Sequence, residues 1–218
     1  MVTLQQDGPV WTLDFGDDEN RFSPERLAAV EAALDEVDAS TGPAALLTTG
    51  GGKFYTNGLD LDWLMRNPDQ QDAYVARVQA LFARVLTLPI PTVAAVNGHA
   101  FGAGAMLAMA HDYRVMREDR GYFCFPEVDI RIPFTPGMNA LITSKLTPRT
   151  AFDAMTSGHR YTGAEAQAVG LVDGTAPLAD LPQAAAAAVR DRADKDRLTL
   201  GTIKARLFAE VTAALVPA

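Results

Sequence analysis

One carboxylate and two glycine-bearing turns hold the chemistry that residue types alone reveal. Glu127 follows Pro126 and lies between Phe125 and Val128. Burial among such neighbours penalises the charged carboxylate and lifts its pKa toward the range of a general base. A strand-end carboxylate held in a salt bridge fits the same residues, and from these residues the two readings stand level. Each of the two turns follows an apolar run and opens a helix: Ala45 to Asp60, then Thr92 to Leu107. A helix start presents unpaired N–H groups and partial positive charge, and glycine lets a substrate approach that backbone closely. Two such turns side by side can aim two N–H groups at one oxygen, forming an oxyanion hole. Taken alone, Gly102-Ala103-Gly104 is better explained by tight packing of a helix on its strand.

Other chemistries find less support. Gly98, Gly102 and Gly104 do not reproduce the dinucleotide-binding spacing, and Lys53 does not follow its glycines as a phosphate-loop lysine would. His99 and His111 have no paired nucleophile, so a Ser-His-Asp arrangement is not expected. With three histidines and one cysteine, no cluster has metal-ligand spacing. Cys124 sits in the apolar run Phe123-Cys124-Phe125 and reads as buried and structural. A lone cysteine allows no internal disulfide and fits a reducing, cytoplasmic setting. The net charge of −8 argues against a nucleic-acid partner, yet a small anion needs only a few local cations or helix N-termini. No apolar run reaches roughly 18 residues, so no membrane span is expected. The opening Met1 to Asp7 carries no secretory pattern.

The elements that must position these groups follow from period and punctuation. The 218 residues, 48% hydrophobic, suffice for one globular core. Val10 to Phe15 alternates as a strand. Ser23-Pro24 is a cap followed by a helix-starting proline, with Leu27, Val30, Leu34 and Val37 at helical spacing. Ala44 to Thr48 and Thr92 to Val96 read as buried strands. Between them a helix carries Tyr74, Val78, Leu81, Phe82 and Val85 on one face. Asn97-Gly98 reads as a turn and Ala105 to Ala110 as a buried helix, with strands at Tyr113 to Met116 and Tyr122 to Phe125. Thr135-Pro136, Thr147-Pro148 and the capping box Thr162-x-x-Glu165 begin further helices. Ala184 to Val189 and Leu198 to Leu215 supply the last two helical stretches. Helix and strand alternate early and helices dominate late, an α/β pattern. The expected division is a core over residues 1–176 and a helical region over 177–218, with Pro177 to Pro182 as the one candidate hinge.

In this order the segments resemble the crotonase (enoyl-CoA hydratase/isomerase) superfamily. Gly52-Lys53-Phe54-Tyr55-Thr56-Asn57-Gly58-Leu59-Asp60-Leu61 is similar to its first acyl-CoA loop, and Pro91 to Gly104 to its second. Phe125-Pro126-Glu127-Val128-Asp129-Ile130 is similar to its third motif, and Tyr161 to Asp173 to its later helix. Gly201-Thr202-Ile203-Lys204 is a weaker echo. Gly16 to Arg21, and Arg114 to Gly121 leading to Glu127, resemble the plant and peroxisomal Δ3,Δ2-enoyl-CoA isomerases within the superfamily.

The resemblance implies a fold of repeated ββα turns with a C-terminal helical trimerisation region, assembled as a homotrimer or a dimer of trimers. It implies an acyl-CoA thioester substrate, with coenzyme A part of the substrate, no separate cofactor and no metal. Backbone N–H groups of Leu59 and Ala103 would form the oxyanion hole, Ala103 replacing a commoner glycine, and Glu127 would be the base. Arg21, Lys53, Tyr55, Asn57, Asp60 and Lys204 are candidate coenzyme A contacts, Asp60 more as an organiser of its loop. Trp63, Met106 and Phe134 are candidates for the acyl pocket. Hydratases of this superfamily carry a second glutamate near the start of the helix after Gly104. Here Met106 stands there, which points to the single-base shift of a double bond from position 3 to position 2 of an enoyl-CoA. Hydration, hydrolysis or decarboxylation through the same enolate is the alternative reaction class, and a non-catalytic acyl-CoA-binding subunit is the remaining one.

Overall fold

The structure, a computed structural model, describes residues 1–217. Strands β1 (Thr3–Asp7) and β2 (Val10–Asp14) form an antiparallel hairpin that turns at Gly8, in the left-handed region at φ 56°. Helix α1 (Pro24–Ala39) starts at Ser23, whose hydroxyl accepts the Arg26 N–H, and buries Leu27, Val30, Leu34 and Val37. The expected cap and apolar face are both present.

Three ββα turns then follow. The first is β3 (Ala45–Thr49), β4 (Phe54–Thr56), α2 (Leu61–Arg66) and the long α3 (Gln71–Thr87). The second is β5 (Thr92–Val96), β6 (His99–Phe101) and α4 (Ala103–Ala110), and the third β7 (Tyr113–Arg117), β8 (Phe123–Cys124) and the short α5 (Glu127–Ile130). The first strand of each turn joins one sheet and the second joins another. The large sheet runs β1-β2-β3-β5-β7-β9, closed by β9 (Gly174–Ala176), and the small one runs β4-β6-β8. Apart from the hairpin, all neighbouring pairs are parallel. These are the repeated ββα turns that the resemblance implies.

Alternation along the strands divides two cores. Leu46, Ala94 and Val96 face α1, α3 and α4, while Ala45, Leu47, Val93 and Ala95 face the opposite side. Helix α4 is buried at every position, as its run of alanine, methionine and leucine requires. Helices α6 (Pro136–Lys145), α7 (Pro148–Ser157) and α8 (Gly163–Ala168) each start on a threonine cap, the last with a complete capping box. Helix α9 (Leu181–Arg190) covers the outer face of the large sheet with Leu181, Ala185 and Val189. The stretch read as helix from Leu198 to Leu215 is two helices, α10 (Arg197–Leu207) and α11 (Ala209–Leu215), meeting at Phe208. Helix α11 packs on α3 and α6, whereas α10 leaves Leu198 and Leu207 80% and 70% exposed.

Candidate active site

The two turns meet at Gly58. A methyl group on that glycine would lie 2.7 Å from the Phe101 carbonyl oxygen and 3.0 Å from the Ala103 nitrogen, so only a residue without a side chain lets the loops touch. The first loop is fixed from several sides. Asn20, fully buried and at φ 52°, donates to the carbonyls of Gly16, Phe54 and Tyr55. The Thr56 hydroxyl donates to the Asn20 carbonyl and accepts the Gly58 N–H. The Tyr74 hydroxyl donates to the Phe22 carbonyl and accepts the Asp60 N–H. In the second loop Gly102 takes φ 52° and ψ −121° to turn β6 into α4.

The backbone between these restraints is left free to bind. The N–H groups of Leu59 and Ala103 have no acceptor among the described residues; Ala103 is the first residue of α4, where a helix offers none. Leu59 and Ala103 line one cleft of about 470 Å³, together with Gly102, Met106 and Glu127. The turns thus combine close packing with two unpaired backbone donors on residues that line one cleft.

Glu127 is 8% exposed, and its Oε2 is buried with no hydrogen-bond partner. Removal from water pushes its pKa up to about 7, against the lowering effect of its own backbone N–H. The alternative reading, a salt-bridged strand-end carboxylate, does not hold: no cation pairs with it among the described residues, and it begins α5. Arg131 closes that single turn in the left-handed conformation at φ 61°. The Ile132 N–H then bonds back to the Glu127 carbonyl at 3.1 Å. Met106, 1% exposed, lines the same cleft and supplies no carboxylate where a second acid would stand. The other carboxylate on the lining, Asp62, lies at the rim and is engaged at 2.6 Å by Arg21.

The candidate contacts divide. Arg21 and Asn57 line the cleft, Arg21 held by Glu19 and Asp62. Asp60 caps α2, accepting the Trp63 N–H at 3.0 Å, which is the organising role expected of it. Lys53 opens instead on a separate hollow of about 280 Å³ beside His99, Arg120 and Tyr122. Tyr55 is fully buried, its hydroxyl 2.7 Å from the Thr48 hydroxyl, because alternation along β4 turns it into the core. Lys204 is a correction as well. Its ammonium donates to the carbonyls of Leu88 and Ile90 and pairs with Asp112 at 2.6 Å, tying α10 to the core. Trp63 stacks on Tyr74 with ring centroids 5.2 Å apart and is not part of the cleft lining, whereas Met65 is. Phe134 lines an adjoining groove and packs edge-on against Phe125.

Neither histidine enters the cleft lining. His111 is fully buried between the Thr48 hydroxyl and the Leu107 carbonyl, and burial holds its pKa down to about 3. His99 sits in an aromatic stack with Phe54, Phe101 and Tyr122, its pKa lowered by burial and then by nearby Lys53. Arg160 and Met138 are among the lining residues that escaped sequence reasoning. Arg160 reaches the site because Tyr161 bridges to Phe123 of β8, a pairing with no local signal.

Comparison with known proteins identifies the family and the fold. The chain is 39% identical to enoyl-CoA delta isomerase 3 of Arabidopsis thaliana over 81% of its length and 77% of that protein. It superposes on a probable enoyl-CoA hydratase of Mycobacterium tuberculosis with a TM-score of 0.90 at 26% identity, covering 98% of this chain and 91% of that one. Human mitochondrial Δ3,Δ2-enoyl-CoA isomerase, at 23% identity, shares the fold with a TM-score of 0.91 over 99% of this chain and 86% of that one. With residues 10–218 matched by the family model for enoyl-CoA hydratase/isomerase, the chain belongs to that family, and its fold is the crotonase type.

Proposed function

We propose that this protein is a Δ3,Δ2-enoyl-CoA isomerase in which Glu127 is the only acid–base group. The observation that carries the reading is a buried carboxylate with a free Oε2 and a pKa near 7, in one cleft with two unpaired backbone N–H groups. With the thioester oxygen between Leu59 and Ala103, the carboxylate takes a proton from C2 of a 3-enoyl-CoA. The C2–H electron pair forms a C1=C2 bond as the carbonyl pair moves onto oxygen. The resulting dienolate keeps C3=C4, and its oxygen is held by the two N–H groups. As that oxygen re-forms the carbonyl, the C1=C2 pair moves to C2=C3 and the C3=C4 pair takes the proton. The protonated Glu127 thus returns the proton at C4, leaving a conjugated 2-enoyl-CoA. No electrons enter or leave. A positioned base contributes about 10²–10⁴ in rate, and each oxyanion donor about 10²–10³. The relative named enoyl-CoA delta isomerase in Arabidopsis supports the choice. So does Met106, since hydration needs a second group to hold water.

Coenzyme A is bound as part of the substrate, with Arg21 and Asn57 at the cleft mouth as its contacts. The buried free thiol of Cys124 suits the cytoplasm, and the exposed Leu198 and Leu207 of α10 suit a trimer contact. The deciding assay incubates the protein with 3-hexenoyl-CoA and follows the absorbance of the conjugated 2-enoyl thioester, with 2-hexenoyl-CoA hydration measured in parallel. Conjugation without hydration is expected; hydration as the main reaction would reject the proposal.

A further inference from the structure

The turns that join the two strands of each ββα unit converge on a hollow of about 280 Å³, whose lining shares no residue with that of the cleft. The first unit brings Lys53 to it, the second His99 and the third Arg120. Glycine contacts lock the three together. A Cβ on Gly98 would lie 2.1 Å from the Lys53 carbonyl oxygen, and one on Gly121, at φ 99°, 2.6 Å from the Gly98 carbonyl carbon. The His99 N–H donates to the Lys53 carbonyl at 3.0 Å, and the Ala100 N–H to the Tyr122 carbonyl at 2.9 Å. The cations thus stand on backbone held in fixed register. Neither Lys53 nor Arg120 is in a salt bridge among the described residues. Of the acids on the lining, Asp119 is taken by Arg117 at 2.5 Å, and Glu118 is exposed. Burial first, then Lys53, Arg120 and Arg160, lower the pKa of His99. Every charge that reaches the imidazole is positive, on a chain whose net charge is −8. Its Nδ1 is buried without a partner. A proton there would be an unpaired donor, so the neutral ring carries it on Nε2.

We propose that this hollow is a phosphate site separate from the cleft, in which Lys53 and Arg120 neutralise the dianion and His99 and Tyr122 donate to its oxygens. The inference does not depend on the isomerase reading. Two free cations match the two charges of a phosphate or phosphomonoester, whereas a carboxylate would leave one uncompensated. Size points the same way. Pockets for ordinary small molecules run from about 300 to 1,000 Å³, so this one suits inorganic phosphate or a small phosphomonoester. A dianion there also reverses the sign of the charge beside His99, and so raises its pKa.

The test titrates inorganic phosphate into the protein at an ionic strength held constant with chloride, followed by calorimetry and by the ring resonances of His99. We expect one equivalent to bind and the pKa of His99 to rise. Acetate should bind at least tenfold more weakly. Lys53→Met and Arg120→Gln, both at exposed positions, should keep the parental melting temperature and each weaken phosphate at least tenfold. The titration is repeated with the protein saturated in coenzyme A, where the affinity for phosphate should stay within twofold. Displacement of phosphate by coenzyme A would assign the two cations to the substrate's own phosphates and overturn the proposal. So would an affinity unmoved in both folded variants, or a His99 that responds to phosphate and acetate alike.

Discussion

Gly102 and Glu127 face each other at the floor of the cleft: a Cβ on the glycine would lie 3.2 Å from Oε1 of the glutamate. The residue that turns the chain into α4, and so exposes the Ala103 N–H, also leaves the room in which the carboxylate sits. Gly102→Ala therefore disturbs both parts at once. Alanine is strained at φ 52°, ψ −121°, at about 1–3 kcal/mol. Its methyl also crowds the base. We expect a folded variant with a lower melting temperature and turnover reduced at least tenfold; parental kinetics would show that neither group works from its observed position.

Ala103→Pro tests a donor that belongs to the backbone, by removing its N–H outright. Proline is tolerated at the first position of a helix, where its missing N–H had no acceptor. Folding should persist while turnover falls by about 10²–10³. Leu59→Ala, which keeps its N–H, should stay within a few-fold of the parent. Full activity in a folded Ala103→Pro protein would remove Ala103 from the oxyanion hole.

Lys204 separates a structural lysine from a ligand-binding one. Its ammonium, 5% exposed, is used up by Leu88, Ile90 and Asp112. Lys204→Met leaves Asp112 and two carbonyls with a lost partner, a penalty of about 2–4 kcal/mol. Thermal melting should register that loss, while KM for the acyl-CoA at a temperature where the variant is folded stays at the parental value. A raised KM with unchanged melting would restore Lys204 as a coenzyme A contact.

These contrasts mark where residue patterns inform and where they do not. Strands β3 and β5 and helix α4 were legible because they are buried, β3 all but its last residue, and read as largely apolar runs beside glycines. Strand β6 was not, since three residues straight after Asn97-Gly98 are too few to show a period, and a turn was expected there. Glu127 stood out because an acid between Phe125 and Val128 is unusual locally. Lys204 and Tyr55 misled because their partners, Asp112 and Thr48, are brought together only by the tertiary packing. Arg160 carried no signal, for its place depends on the Tyr161–Phe123 bridge. Chemistry written in adjacent residues was readable, and chemistry assembled from distant segments was not.

The raised pKa of Glu127 gives a test in which activity and stability must move in opposite directions. Burial lifts the carboxyl from 4.5 to about 7 in the folded chain. Below pH 4.5 both folded and unfolded forms hold the proton, and the group has no effect on stability. Between 4.5 and about 7 the unfolded chain releases the proton while the folded one keeps it, so folding becomes progressively less favourable. Above 7 the loss is complete, at most about 3 kcal/mol. The same ionisation creates the base, so kcat/KM should rise with pH and level off above 7. Glu127→Gln keeps the shape and cannot titrate. We expect its turnover to fall at least about 10², and its melting temperature relative to the parent to climb between pH 5 and pH 8. A pH-independent difference in melting would mean that the carboxyl ionises normally in the folded protein. A folded Glu127→Gln with near-parental turnover would place the base elsewhere.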